Sequence, residues 1–463
     1  MIYRLLILIL VLLTTGTSVA LAQATVPQSK FEITLSFAPL VKEAAPAVVN
    51  IYARRIVKSQ SNPFHVSPIF ENFFQDFGNI QPKVQNSLGS GVILSDDGIV
   101  VSNYHVVGGA TDIRVVLNDG REFSARALIA DWESDLAVIK LDSARNMPFL
   151  GFRDDKTVEV GELVLEIGNP FGIGQTVSSG IVSGLARSGT ALSDGRGYFI
   201  QTDAPINPGN SGGALIDVAG RLIGVNTAIL TWSGGSNGIG FAILAILVKQ
   251  FVLQAEAGFR EFQRPWSGLS GRTLGGDIAD SLGLQTRNGL VITAIHPRSS
   301  FLVAGFEVGD VITAIDGNSV ATPAELLYRM SVAGLGAEAM ISRLTKDGPS
   351  DLMVRLGGAP DDPPQKRVVF DSESYFPRLM ISSINPAVQA ELGLAWDVEG
   401  FVVLDPGRFA GRIGLRAGDI LLAANNEIFR SASELNEILK KNGHAGSLII
   451  QRGTQRIKLR FRK

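Results

Sequence analysis

The sequence contains no cysteine and only four histidines. The first absence excludes disulfides, thiol nucleophiles, iron–sulfur clusters and zinc sites of cysteine type. Four scattered histidines argue against a histidine-only metal site. No metal and no cofactor is expected. An excess of charge of one sign is also missing. Lys and Arg number 42 against 44 Asp and Glu, a formal net charge of −2. No global field favours nucleic acid, although a local patch stays open. No Walker motif is present, so nucleotide-driven work is not expected. Chemistry is left to hydroxyls, carboxylates and a few imidazoles. The hydrophobic share of 45% is that of folded protein. A length of 463 residues suggests about three domains.

Long apolar runs are scarce too. Residues 1–24 carry Arg4, an unbroken run from Leu5 to Leu13, and then Ala20-Leu21-Ala22. That pattern reads as a secretory signal peptide cut after Ala22 or Ala24. The run falls short of the ~20 apolar residues of a spanning helix. An uncleaved anchor is the alternative. Residues 241–255 come nearest to a second span, but Lys249 interrupts them, and they read as a packed helix.

Residues 88–242 hold short apolar runs broken by turn signals. Examples are Asp96-Asp97-Gly98, Asn118-Asp119-Gly120 and Ala219-Gly220. Many short strands with few helical stretches predict antiparallel barrels or a sandwich. Residues 54–87 lack periodicity and read as a long loop. Further on, 289–317 resembles 400–426, and Ser281-Leu282-Gly283-Leu284 resembles Glu391-Leu392-Gly393-Leu394. The copies suit two tandem domains. Residues 357–367, rich in proline and charge, read as the linker between them.

Among the histidines, His65 falls in the long loop, His296 precedes a proline, and His444 sits in a turn. His105 ends an apolar strand, where a scaffold can present a base or simply use a structural histidine. Ser211 stands in Asn207-Pro208-Gly209-Asn210-Ser211-Gly212-Gly213. Glycines there let a substrate approach and let N–H groups converge, or they form an ordinary hairpin loop. Asp135 abuts the apolar run Leu136–Ile139 and must find a partner or bear desolvation. The order His105, Asp135, Ser211 is that of chymotrypsin-type barrels, not of subtilisin or the α/β-hydrolases.

These residues lie in stretches that resemble the HtrA (Do/Deg) family, exported serine proteases with a chymotrypsin-like domain followed by PDZ domains. The matching stretches are 36–52, GSGVILSDDGIVVSNYHVV (89–107), SDLAVIK (134–140), 167–187, FIQTDAPINPGNSGGALID (199–217) and 222–243. The resemblance implies a mostly β chain, with a chymotrypsin-like double β-barrel protease domain at 31–258 and a regulatory loop at 54–87. A first PDZ domain at 262–356 and a second, divergent one at 370–463 follow. Ser211 would be nucleophile, His105 base and Asp135 its orienting acid. Gly209, Asn210 and Ser211 would form the oxyanion hole. Ile206, Asn226, Thr227, Ala228 and Ile229 would line a modest apolar specificity pocket.

In the first module Trp266, Ser267, Gly268 and Leu269 would capture a peptide C-terminus. The matching segment of the second, Phe376 to Met380, has no glycine and reads as serving assembly. The implied activity is an ATP-independent serine endopeptidase of the peptidase Do type. It would degrade misfolded or damaged periplasmic proteins and hold some of them as a chaperone. Trimers, or multiples of trimers, would form through Phe31 to Asn50. Phe64, Phe70, Phe73, Phe74 and Phe77 would dock on neighbouring subunits or on their own domain. The alternatives are a catalytically silent chaperone or peptide-binding scaffold, and an esterase acting on small esters.

Overall fold

The computed structural model describes residues 36–57, 83–153, 157–169, 174–187, 199–207, 209–229, 237–281, 288–392, 394, 398–441, 445–453 and 455–462. Residues 1–24, read above as a signal peptide, the loop phenylalanines, His65 and His444 lie outside them. The chain divides into a leading unit, 1–43, which carries most of the helix Ala38–Ala44, and a unit of 44–463.

In the larger unit the first strands are β1 (Val48–Val57), β2 (Lys83–Ile93), β3 (Ile99–Ser102), β4 (Asp112–Val116), β5 (Glu122–Asp131) and β6 (Leu136–Leu141). They close into a barrel in the order β1-β2-β3-β6-β5-β4. Alternating apolar positions turn inward, and Val49, Ile51, Ile93, Val100, Val115, Ile139 and Leu141 fill the barrel. A second barrel follows from β7 (Leu163–Gly168), β8 (Thr176–Arg187), β9 (Phe199–Thr202), β10 (Ala214–Asp217), β11 (Leu222–Ile229) and β12 (Gly240–Leu244). Its order, β7-β8-β9-β12-β11-β10, repeats that of the first. Closure leaves no free strand edge in either. The expected double barrel is present.

Three local expectations change. Arg54 to Val57 pair with Lys83 to Asn86, so both ends of the stretch read as a loop at 54–87 are strand. Backbone pairing there needs no apolar periodicity. Residues 241–244, read as helix, form β12, because β11 and β9 pair with them on either side. The helix begins at Ala245 and ends at Glu256, burying Val248, Phe251 and Val252. His105 lies past the end of β3, on the one-turn helix Tyr104–Val107.

Two further sheets carry the repeat. The first contains β13 (Leu269–Thr273), β14 (Leu290–Ile295), β15 (Val311–Ile315), β16 (Asn318–Ser319), β17 (Glu338–Thr345) and β18 (Gly348–Arg355). The second contains β19 (Arg367–Val369), β20 (Met380–Ser383), β21 (Phe401–Asp405), β22 (Ile420–Ala424), β23 (Ala445–Arg452) and β24 (Gln455–Arg462). Helices Ser300–Ala304 and Pro323–Ala333 in the first match Gly407–Arg412 and Ala432–Lys441 in the second. Strand β19 starts inside the segment read as linker.

The repeat extends to side chains. Arg343 pairs with Asp310 and donates to the Gly305 carbonyl, and Arg452 does the same with Asp419 and Gly414. Thr322 and Ser431 cap the second helix of each module in the same way, each hydroxyl accepting from the N–H of Glu325 or Glu434 while those carboxylates accept from the N–H of Ala321 and Arg430.

Candidate active site

The two barrels bring His105, Asp135 and Ser211 to one region. Asp135 sits at the tight turn Asp131–Asp135 between β5 and β6, with φ +52°. An aspartate tolerates this left-handed geometry better than most residues, at a cost of about 1–3 kcal/mol. The turn is heavily tied. The Asn103 Nδ2 and the Tyr104 N–H donate to the Asp135 carbonyl at 2.9 and 3.1 Å. Arg264, just beyond the second barrel, donates to Asp131 at 2.5 Å and to the Ser134 hydroxyl at 2.7 Å. Burial pulls the Arg264 pKa down, but the Asp131 and Glu133 carboxylates outweigh it and raise it.

So held, the Asp135 carboxylate meets three donors. The His105 Nδ1 lies 2.8 Å from Oδ2 and 3.0 Å from Oδ1. The His105 backbone N–H donates to Oδ1 at 3.0 Å, and the Thr227 hydroxyl donates to Oδ2 at 2.5 Å. Side-chain exposure is 15% for His105 and 17% for Asp135. The pair is shielded enough to interact strongly and open enough to be reached. With Nδ1 donating to the carboxylate, Nε2 is the basic nitrogen of the ring.

Ser211 lies in the loop before β10. Its hydroxyl donates to the Thr227 carbonyl at 3.3 Å. Thr227 on β11 therefore bridges the set, with its side chain on Asp135 and its carbonyl on Ser211. The loop is fixed from the first barrel by Ser90. The Ser90 N–H donates to the Ser211 carbonyl at 2.8 Å, and its hydroxyl donates to the Gly209 carbonyl at 2.8 Å. The Ser102 hydroxyl donates in turn to the Ser90 carbonyl at 2.7 Å. Gly212 has φ +84°, and a Cβ there would lie 2.1 Å from the Ser90 carbonyl oxygen. Only glycine fits this approach.

The N–H groups of Asn210, Gly212 and Gly213 bond to Asn207, Asn226 and Asn210 carbonyls. Among the described residues none accepts from the N–H of Gly209 or Ser211. Asn210 is buried, with its Oδ1 unpartnered and packed on Gly168.

Ile206 is buried to 2% exposure. Sequence reasoning puts Asn226 and Thr227 in the pocket wall with it. The structure instead turns their side chains to Glu166 and Asp135. Ala228 and Ile229 continue β11, paired with Phe241 and Gly240.

Sequence reasoning missed Ser90, Ser102, Asn103, Glu166 and Arg264. Two of them carried usable signals. Ser90 stands between two glycines, much as Ser211 stands in a glycine-rich run, and Glu166 is an acid inside an apolar strand, the same signal that marked Asp135.

In the first repeated module, the Trp266 ring meets the His296 ring edge-on at 5.1 Å. Gly268 has φ +63°, and its carbonyl accepts from the His296 N–H at 2.8 Å. The Leu269 N–H donates to the Ser267 hydroxyl at 3.2 Å. In the second module Arg378 takes the same φ of +63° as Gly268. Leu379 beside it and Phe376 two residues before it are both buried.

Comparison with known proteins fits this geometry. Residues 89–225 match the trypsin-like peptidase domain family. The periplasmic serine endoprotease DegP of Escherichia coli (strain K12) is 35% identical over 448 residues, covering 92% of this chain and 91% of that protein. The probable periplasmic serine protease do/HhoA-like of Haemophilus influenzae is 35% identical over 454 residues, covering 95% and 94%. The solved HtrA-type protease AlgW with decapeptide is 39% identical with a TM-score of 0.52, covering 70% of this chain and 99% of that one. Among the described residues no helix is long and apolar enough to cross a membrane. The chain belongs to the HtrA (DegP-like) family of serine endoproteases, and it is a serine endopeptidase.

Proposed function

We propose that Ser211, His105 and Asp135 are the catalytic triad of this endopeptidase. The observation that carries the reading is the Asp135 carboxylate on His105 Nδ1 at 2.8 Å, with Thr227 joining that pair to Ser211. Attack requires the Ser211 hydroxyl to rotate from the Thr227 carbonyl to His105 Nε2. The oxygen then adds to the peptide carbonyl while Nε2 takes the proton. Asp135 stabilises the imidazolium and stays ionised. His105 returns the proton to the leaving amine, and water hydrolyses the acyl-enzyme by the same steps. The N–H groups of Gly209 and Ser211 face the developing oxyanion, with the Asn210–Ser211 peptide setting the Ser211 donor. One such donor contributes about 10²–10³ in rate.

Ile206 with the β11 segment up to Ile229 forms the specificity pocket in this reading. The substrates are misfolded or damaged proteins in the periplasm, reached after removal of the leader at 1–24. No ATP is used, and the protein also holds unfolded chains. Residues 31–258, 262–356 and 370–463 are the protease and two PDZ domains. Trp266, Ser267, Gly268 and Leu269 bind peptide C-termini, and the second module serves assembly. The segment Phe31 to Asn50 joins trimers. What supports these finer points is the double barrel, the repeated modules and the relatives' names.

The test is cleavage of unfolded casein by the wild type and by Ser211→Ala. The reading predicts cleavage by the first alone. Equal cleavage would overturn it, and wild type that neither cleaves casein nor reacts with a fluorophosphonate would favour a silent scaffold.

A further inference from the structure

The second barrel holds another acid behind the triad, and it is buried more deeply. Glu166 on β7 has 0% exposure. Two neutral groups donate to it. The Ser178 hydroxyl on β8 lies 3.0 Å from Oε2, and the Asn226 Nδ2 on β11 lies 3.1 Å from Oε1. Ser178 has a second acceptor in reach, the Pro205 carbonyl at 3.1 Å. A hydroxyl has one proton, so it can serve only one of them at a time.

The protonation state of Glu166 decides which. An ionised carboxylate only accepts, and it draws the Ser178 proton to itself. The Pro205 carbonyl then loses its donor. A neutral carboxyl donates its own O–H to Ser178 Oγ, and Ser178 passes its proton to Pro205. The chain Glu166 to Ser178 to Pro205 is complete only in the neutral form. Pro205 adjoins Ile206, whose side chain packs on Gly240, and opens the segment that leads to Ser211. The Asn226 bond survives in both states. Asn226 is also clamped to the nucleophile loop, since its backbone bonds to Gly212 and Gly213 at 2.8 and 2.9 Å.

We propose that Glu166 is a positioning residue for the substrate-binding side of the site, holding the Pro205–Ile206 segment through Ser178 when its carboxyl is neutral. This rests on the reading of Ser211 as nucleophile and Ile206 as pocket wall. The switch alters substrate binding and leaves the chemistry at Ser211 in place, because the Asn226 clamp is constant.

Among the described residues the surroundings supply no cation that would hold Glu166 ionised. Strand β11 has no ionisable residue, and β7 has none besides Glu166. On β10 the only one is Asp217, which pairs with Arg221 and Arg153. On β8 it is Arg187, at the far end of the strand. On β1, Arg55 lies against Gly109, and Arg54 is exposed. Asp203, beside β8, accepts from the Ile181 N–H at 2.7 Å. Burial pushes the Glu166 carboxyl up to about 8, with the Ser178 hydroxyl pulling the other way. The neutral form therefore prevails below that pH.

The test measures kcat and KM of the full-length protein on a short peptide across the alkaline range. The variants are wild type, Glu166→Gln and Ser178→Ala. Wild-type KM is expected to rise about 3- to 10-fold as Glu166 ionises, the effect of one neutral hydrogen bond. Glu166→Gln keeps a permanent donor to Ser178, so its KM stays flat. Ser178→Ala has no relay, so its KM is raised and flat. Superimposed KM profiles for wild type and Glu166→Gln would overturn the proposal. If Glu166→Gln fails to fold, a wild-type profile retained by Ser178→Ala would overturn it alone. A Ser211→Ala control separates the two readings. An inactive control with superimposed profiles sinks only the role of Glu166, and an active control sinks the nucleophile.

Discussion

The two barrels share one strand order and differ in what they bury. The core of the first is aliphatic apart from Met147 and the partly buried Phe123, and the polar groups this barrel buries, Ser90, Ser102 and Asn103, are all neutral. Its contributions to the site, His105 and Asp135, stand outside that core on a one-turn helix and a tight turn. The second barrel encloses Glu166, Thr202, Asn210 and Asn226. Three of these bond to, or lie in, the segments around Ser211. An acid–base pair can be set by its own mutual hydrogen bonds at a barrel mouth. A nucleophile loop must hold a particular backbone course, and a buried polar network specifies it. The common topology is a scaffold, and the difference in buried groups carries the chemistry.

The largest effect should come from the second barrel. Ser211→Ala is expected to lower peptide hydrolysis by about 10⁶, as loss of a serine nucleophile does elsewhere. Asp135→Asn, in the first barrel, should keep the fold but lower kcat by about 10⁴, because Nδ1 would then face the wrong tautomer. A loss below tenfold in steady-state assays would break the account of the pair. Thr227→Val removes the bond that crosses between the barrels. A hydrogen bond to a charged group contributes about 1.5–3 kcal/mol, so kcat should fall about 10- to 100-fold with KM unchanged. A change confined to KM would place Thr227 in the pocket after all.

The smallest effect is on stability. Burial raises the Glu166 carboxyl to about 8 in the folded chain from its ordinary 4.5. Between these values the folded state binds more protons than the unfolded one, so stability falls as pH rises. Below 4.5 both states are protonated and the loss vanishes. Glu166→Gln has no such carboxyl. Thermal melts of the wild type should drop between pH 5 and 8, more than those of the variant. Parallel curves would mean that burying Glu166 is without cost.

The hairpins of both barrels were legible because turn residues punctuate apolar runs. The repeat was legible because 289–317 resembles 400–426, and the matched pairs Asp310–Arg343 and Asp419–Arg452 deepen it. The three residues of the proposed triad stood out in the sequence from three local contexts taken in order. What holds them together did not. Thr227 meets Asp135 across 92 residues, and Ser90 meets Gly209 across 119. No local pattern encodes such partners. The left-handed Arg378 was equally hidden, since sequence offers glycine as the signal for that geometry and the second module has none there.

The central claim is that Ser211 is the nucleophile of this serine endopeptidase. Full-length protein treated with a fluorophosphonate, digested and mapped by mass spectrometry tests it most directly. The account predicts a single adduct, on the peptide containing Ser211, and none when His105 is changed to alanine. An adduct on another residue, or undiminished labelling of Ser211→Ala, would contradict it.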